Sequence, residues 1–215
     1  MKKIRIFYAI WGMFFLLFCN SMVFAEVIFI KPQGEIATIS VEKSNNAYLV
    51  LRGGKPGDKV KVAAEVDANP GDYHPYALLA LGLHYITEKN FEKAAIYLRG
   101  AAFRAVVDVK ASNDSSLQDV VPTMFESMQI HTRLYLTPSE NQKYIDCLVK
   151  ATENLINWDK MTPRNYDVRW ASLHSIKASY GGNLNYASPA QYKKIVEDEY
   201  ELFRQSAQSD GIIIR

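Results

Sequence analysis

From Pro75 onward the apolar residues recur every three or four positions, the spacing that lays one stripe along one face of an α-helix. Leu78, Leu81, Gly82, Tyr85 and Ile86 mark one such face, which ends at Glu88-Lys89-Asn90, and Pro75 suits a first helical position. A second helix follows with Phe91, Ala94, Ala95, Leu98, Ala101, Ala102 and Ala105 along it. So many alanines let a partner helix approach closely, so the two helices are expected to form a hairpin. A chain this periodic buries its apolar surface by packing helix on helix.

The pattern continues to the C-terminus. Ser115 with Gln118 reads as a capping box that opens a helix to about Leu136, with Pro122 starting a new helix or kinking this one. Ser139 with Gln142 reads as a second box, and Tyr144, Leu148, Ala151 and Leu155 carry its helix to Trp158. Thr162-Pro163 introduces a helix from about Asp167 to Tyr180, stopped by Gly181-Gly182. Ser188-Pro189-Ala190-Gln191 opens the last one, with Tyr192, Ile195, Val196, Tyr200 and Phe203 on its apolar face.

The chain before Gly53 reads differently. Val27 to Ile30 is an apolar run, Pro32-Gln33-Gly34 a turn, and Ala37, Ile39 and Val41 alternate with Thr38 and Ser40 before Asn45-Asn46 and Tyr48 to Leu51. This predicts a small antiparallel sheet. Residues 58–66 fit strand or helix, with helix slightly favoured because Asp58 can cap it. The expected fold is mainly α, with helical hairpins preceded by a small N-terminal β region. Its expected parts are a signal peptide (1–25), the β region (26–57), a helical repeat-like domain (58–208) and a C-terminal tail (209–215).

The signal peptide is read from Lys2, Lys3 and Arg5, a 14-residue uncharged stretch from Ile6 to Cys19, and Val23-Phe24-Ala25. That stretch is short for a membrane span, so cleavage after Ala25 is expected, with a periplasmic or secreted product and no stable membrane insertion. Phe18 is too large for a lipoprotein signal ending at Cys19. Cleavage also removes three of the 25 basic residues and none of the 23 acidic ones, leaving the mature chain slightly acidic. That removes the electrostatic basis for nucleic-acid binding. Cys147 is then the one remaining cysteine, so the fold rests on its core, where Cys147 is expected as a small buried hydrophobe.

Leu78, Leu81-Gly82, Tyr85, Ala94, Leu98 and Ala101 resemble one tetratricopeptide unit, and Tyr97-Leu98-Arg99-Gly100-Ala101-Ala102 resembles the related Sel1 repeat. The resemblance spans about residues 75–108 and implies a hairpin covered by further helices, in a scaffold that binds other proteins. A second stretch, from Trp158-Asp159-Lys160-Met161-Thr162-Pro163-Arg164 through Tyr166, Asp167, Arg169 and Trp170 to Leu173-His174, is similar to a segment of uncharacterised exported proteins of Gram-negative bacteria. This resemblance implies a setting and no activity.

The second stretch is also the most chemically loaded part of the chain, and its Trp158, Asp159, Arg164, Tyr166, Asp167, Arg169, Trp170 and His174 are the candidate binding or structural cluster. On the favoured reading Arg164 or Arg169 pairs with Asp159 or Asp167, while Trp158 and Trp170 anchor helix ends. On the other, Tyr166, Arg169, Trp170 and His174 line a pocket. No Gly-x-Ser-x-Gly elbow, phosphate loop, His-Glu-x-x-His or Cys-x-x-Cys is present, so no catalytic residue, cofactor or metal is expected. His74, His84, His131 and His174 are scattered, and the acidic run Glu197-Asp198-Glu199 with Glu201 reads as a solvated helix face. The expected function is a protein-binding scaffold whose partner is another periplasmic or secreted protein. The alternatives are an immunity protein that blocks an exported toxin and an envelope hydrolase built around residues 166–174.

Overall fold

The computed structural model describes residues 34–179 and 183–214. The expected signal peptide and residues 26–33 of the expected β region lie outside them. Seven α-helices are described: α1 (Glu42–Gly53), α2 (Pro56–Ala68), α3 (Pro75–Thr87), α4 (Phe91–Ala111), α5 (Val120–Tyr135), α6 (Pro138–Met161) and α7 (Pro189–Ser209). Short 3-10 turns lie at Gly34–Thr38, Pro70–Asp72, Ser115–Leu117, Val168–His174 and Ile176–Ser179. The chain is mainly α, and among the described residues there is no strand.

The β region is therefore corrected for residues 34–57, which form a 3-10 turn, α1 and the start of α2. The alternation of Ala37, Ile39 and Val41 misleads because the buried residues are Ile36 and Ile39, three apart, which pack against Ala178. Ser44, Ala47 and Leu51 likewise recur at helical spacing and form the buried stripe of α1. Residues 58–66 are helical, but the start signal is Pro56 at the first turn rather than Asp58.

Further boundaries differ from expectation: α5 starts at Val120, after the 3-10 turn Ser115–Leu117 capped by Asp114, and not at a Ser115–Gln118 box. The capping box of α6 is Thr137 with Glu140, two residues before Ser139, because Pro138 fixes the first helical position. The helix expected over 167–180 is a pair of 3-10 turns, since Ser175 bonds to Asp114 Oδ2 and receives the Lys177 N–H, breaking the helical run. Ser188 with Gln191 caps α7 as its sequence implies.

α4 is the axis of the fold. It packs along α3 on one side and α6 on another, with α5, α7 and the 168–174 turn on its remaining flanks, while α1 and α2 cover α3. Two apolar clusters meet along it: one joins α1 to α6 with Tyr166 and Trp170, the other holds Phe103, Val107, Leu155, Ile156 and Tyr200. Phe103 and Tyr200 stack with ring centroids 5.3 Å apart, which seats α7 on α4.

The α3–α4 crossing depends on Gly82. A Cβ placed there would lie 2.6 Å from Leu98 Cγ and 3.2 Å from its backbone N, and Leu98 itself is buried. Gly82→Leu should therefore overpack the seam and lower stability by about 1–3 kcal/mol, read as a depressed midpoint in thermal or urea unfolding. An unchanged midpoint would contradict so close a crossing.

Candidate functional site

The last turns of α4 interrupt a run of small residues with two charges. Arg104 and Asp108, one turn apart, have no exposed surface. Space for the arginine arises because Gly100, one turn earlier, lets the Trp158 ring lie against the helix backbone, where a Cβ would collide with it. The Arg104 guanidinium then lies 4.7 Å from the centroid of the Trp158 ring.

Arg104 Nε donates to Asp159 Oδ1 at 2.7 Å, and its other arm donates to the carbonyl of Thr162. Asp159 Oδ2 accepts from Arg164 at 2.8 Å and from the Tyr200 hydroxyl at 2.7 Å. Both Arg104 and Asp159 side chains are 0% exposed. The end of α6, the following loop and α7 are thus joined to α4 through one carboxylate.

Asp108, one turn further on, ties α7 and the segment after α6 to α4. Its Oδ2 accepts from the Tyr166 hydroxyl at 2.9 Å and Trp170 Nε1 at 2.7 Å, and its Oδ1 from the Tyr192 hydroxyl at 2.7 Å. Burial pushes the Asp108 carboxyl up to about 6, against the charge of Arg164 and the three hydrogen bonds, which favour the ionised form. Two arginines and two aspartates balance one another in this interior, and every oxygen of both carboxylates is taken by a donor of the chain.

The sequence cluster divides around this centre. Trp158, Asp159 and Arg164 belong to the Arg104 side, and Tyr166 and Trp170 to the Asp108 side. Asp167 and Arg169 pair separately, at 2.7 Å, and brace the N-terminal turn, because Asp167 Oδ2 accepts the Ser40 N–H while Arg169 donates to Thr38. Burial raises the Asp167 pKa, but the hydrogen bonds from Arg169 and the backbone outweigh it and leave it lowered. His174 sits at an exposed edge, 5.3 Å from the Tyr76 ring and 5.9 Å from Trp170, away from the carboxylates' hydrogen bonds. Tyr166, Arg169, Trp170 and His174 therefore serve three different contacts.

Two residues that sequence reasoning did not single out for this centre are Arg104 and Asp108. The signal was available: a charge pair four residues apart on the alanine-lined stripe that packs against other helices. His74 is a third. It is buried, stacks on Trp170 at 5.2 Å and approaches Asn45 Oδ1 through Nε2 at 3.1 Å. Burial, reinforced by the charge of His174, lowers its pKa to about 3. The loop after α6 is pinned beside it, since the Gly71 carbonyl accepts the Asn165 N–H and a Cβ at Gly71 would strike the carbonyl of Pro163.

Open grooves lie away from these carboxylates, and two of them flank α5. A groove of about 540 Å³ runs between α5 and the helices α1, α2 and α3, and a smaller one of about 230 Å³ lies between α5 and α6 over Leu98 and Ala102. α5 buries only Val120 and Met124, while Leu134 is 74%, Ile130 50% and Tyr135 49% exposed. In the acidic run of α7, Glu199 is not solvated as expected but buried against Lys110, whereas Asp198 and Glu201 pair with neighbours on the exposed face. Among the described residues no group of three His, Cys, Asp or Glu is placed to hold a metal ion, and no helix is long and apolar enough to cross a membrane. Comparison with protein-family models, curated proteins and solved structures returned no match for this chain.

Replacing Asp108 by Ala leaves three buried donors without an acceptor and should cost about 3–5 kcal/mol of unfolding free energy. The pH dependence separates two groups of opposite sign. His74, held near 3 when folded and near 6.5 when unfolded, takes stability away as pH falls below 6.5. Asp108, held near 6 against 3.8, adds stability as pH falls from 6 toward 3.8. Between pH 7 and 4 the native protein should gain about 2 kcal/mol relative to Asp108→Asn, and His74→Gln should lose less stability than native. Chemical denaturation across that range measures both; parallel curves for all three proteins would contradict the assignment.

Proposed function

We propose that this chain, after removal of its N-terminal leader, is a periplasmic or secreted scaffold that binds another exported protein through α5 and the grooves beside it. The observation that carries the reading is the state of α5. Its second half stands out from the bundle with aliphatic and aromatic side chains on both flanks, the kind of surface that isolated monomers seldom leave open. The hairpin of α3 and α4, with tetratricopeptide-like residue types over 75–108, is the rigid platform behind it. The hydrolase reading loses support because Tyr166, Trp170, Asp159 and Asp108 are committed to one another and to Arg104, Arg164, Tyr192 and Tyr200. An immunity protein is one form the same binding function can take.

The test uses the mature chain, residues 26–215, as bait in an envelope extract of the producing cell, followed by reconstitution with the purified partner. The expected result is a stoichiometric complex weakened by about tenfold or more in Leu134→Asp, an exposed position whose substitution leaves folding intact. No reconstituted complex, or turnover of peptidoglycan fragments, esters or peptides by the purified chain, overturns the reading.

A further inference from the structure

The larger groove has two chemically distinct walls. On the α5 side are Ile130 and Leu134, both more than half exposed or at that limit, with Tyr135 stacked on His131 at a 4.3 Å centroid distance. Facing them are Arg52, in the last turn of α1, and Lys59, in the first turns of α2, on either side of the short link that joins these helices. Among the described residues neither cation forms an ion pair. Lys59 Nζ reaches only the Arg52 carbonyl, at 3.4 Å.

The floor adds His84 and His131, and His131 Nε2 is buried with no hydrogen-bond partner. Burial lowers the pKa of both imidazoles; at His84 the charge of Glu88 opposes this and that of Lys59 adds to it, while at His131 the charges of Arg52 and Lys59 add to it against a hydrogen bond to the Leu83 backbone. A single acidic residue, the exposed Glu126, lines the groove against these groups. The local positive charge contrasts with the slightly acidic mature chain as a whole, so it is a property of this surface rather than of composition.

We propose that this groove receives a segment of the protein partner that carries aliphatic and acidic side chains together, the aliphatic ones seated on Ile130 and Leu134 and the carboxylates facing Arg52 and Lys59. The assignment rests on the protein-binding reading above and specifies the chemistry of what binds. Charge complementarity selects the acidic partner and sets its orientation across the groove, while the buried aliphatic contact holds it. The volume, about 540 Å³, falls within the range of clefts that enclose a ligand of a few side chains.

The experiment titrates the mature chain with a fluorescein-labelled peptide, Gly-Glu-Leu-Glu-Leu-Glu-Gly-Ser, and with two counterparts in which Leu becomes Ser or Glu becomes Lys. Anisotropy gives affinity and backbone amide NMR locates the site. The acidic aliphatic peptide should bind saturably, shifting amides of α5 and of the α1–α2 link, with both counterparts weaker by about tenfold or more. The doubly substituted chain, Arg52→Glu with Lys59→Glu, should then prefer the Lys peptide, an inversion that misfolding cannot produce.

Equal affinity for the three peptides, no binding of any, or an unchanged preference in the reversed chain overturns the proposal. So does displacement of the peptide by decanoate at lower concentration, which would assign a small amphiphile, or self-association abolished by Leu134→Asp, which would assign a second copy. Partner capture unaffected by the charge reversal removes the groove assignment while the scaffold reading stands. Peptide discrimination without any captured partner removes the scaffold reading alone.

Discussion

Two buried carboxylates on facing elements, Asp108 of α4 and Asp159 of α6, hold the C-terminal half of this protein in one arrangement. Neither could be buried ionised without partners, and their partners come from far along the chain: Arg104 from α4, Arg164, Tyr166 and Trp170 from the segment after α6, and Tyr192 and Tyr200 from α7. A buried ion pair adds little net stability over a well-packed apolar one, but leaving one member unpaired is costly. The consequence is selectivity: the loop after α6 and the last helix dock where all four carboxylate oxygens find donors together. Apolar packing alone, as between Phe103 and Tyr200, tolerates small slips that these hydrogen bonds do not.

The same centre explains why the richest stretch of the sequence is not an open pocket. Residues 158–174 supply charges and aromatic rings at high density, and the fold spends them on closing the junction of α4, α6 and α7. Of the aromatic and imidazole rings in this stretch, that of His174 is at an exposed edge, where it meets Tyr76 and Trp170. The accessible chemistry moves to the opposite flank, where α5 is held at its N-terminal end by Val120 and Met124 and carries its apolar side chains into solvent. Rigidity on one side and an uncovered ridge on the other is the division of labour expected of a binding scaffold.

Much of this was legible in the sequence, and the exceptions have physical causes. The pair α3 and α4 follows from the spacing of Leu78, Leu81, Gly82, Ala94 and Leu98, and the start of α7 from Ser188 with Gln191, because local periodicity and capping suffice there. Residues 34–57 misled because an alternation over five residues is also compatible with a turn in which Ile36 and Ile39 are buried three apart. The helix expected over 167–180 breaks up because Ser175 and Asp114, 61 positions apart, bond to each other, a contact that no local pattern announces. Arg104 and Asp108 were legible only through their place on the alanine-lined stripe: taken as a pair they look like a solvent-facing i, i+4 couple, and the arrival of α6, α7 and the intervening loop makes them interior.

Through Asp108, and with Arg164 held on Asp159 just before them, residues 166–174 are part of the structural core rather than an independently mobile loop. Native-state hydrogen exchange followed by mass spectrometry measures this with the unmodified protein. The prediction is that the amides of Tyr166 to Ala171 that are hydrogen-bonded or buried exchange with the same opening free energy as the middle of α4, so that both are released only in global unfolding. Exchange of that segment at a much lower free energy, while α4 stays protected, would mean that the Asp108 and Asp159 contacts do not fasten it, and the loop would again be free to serve as a site.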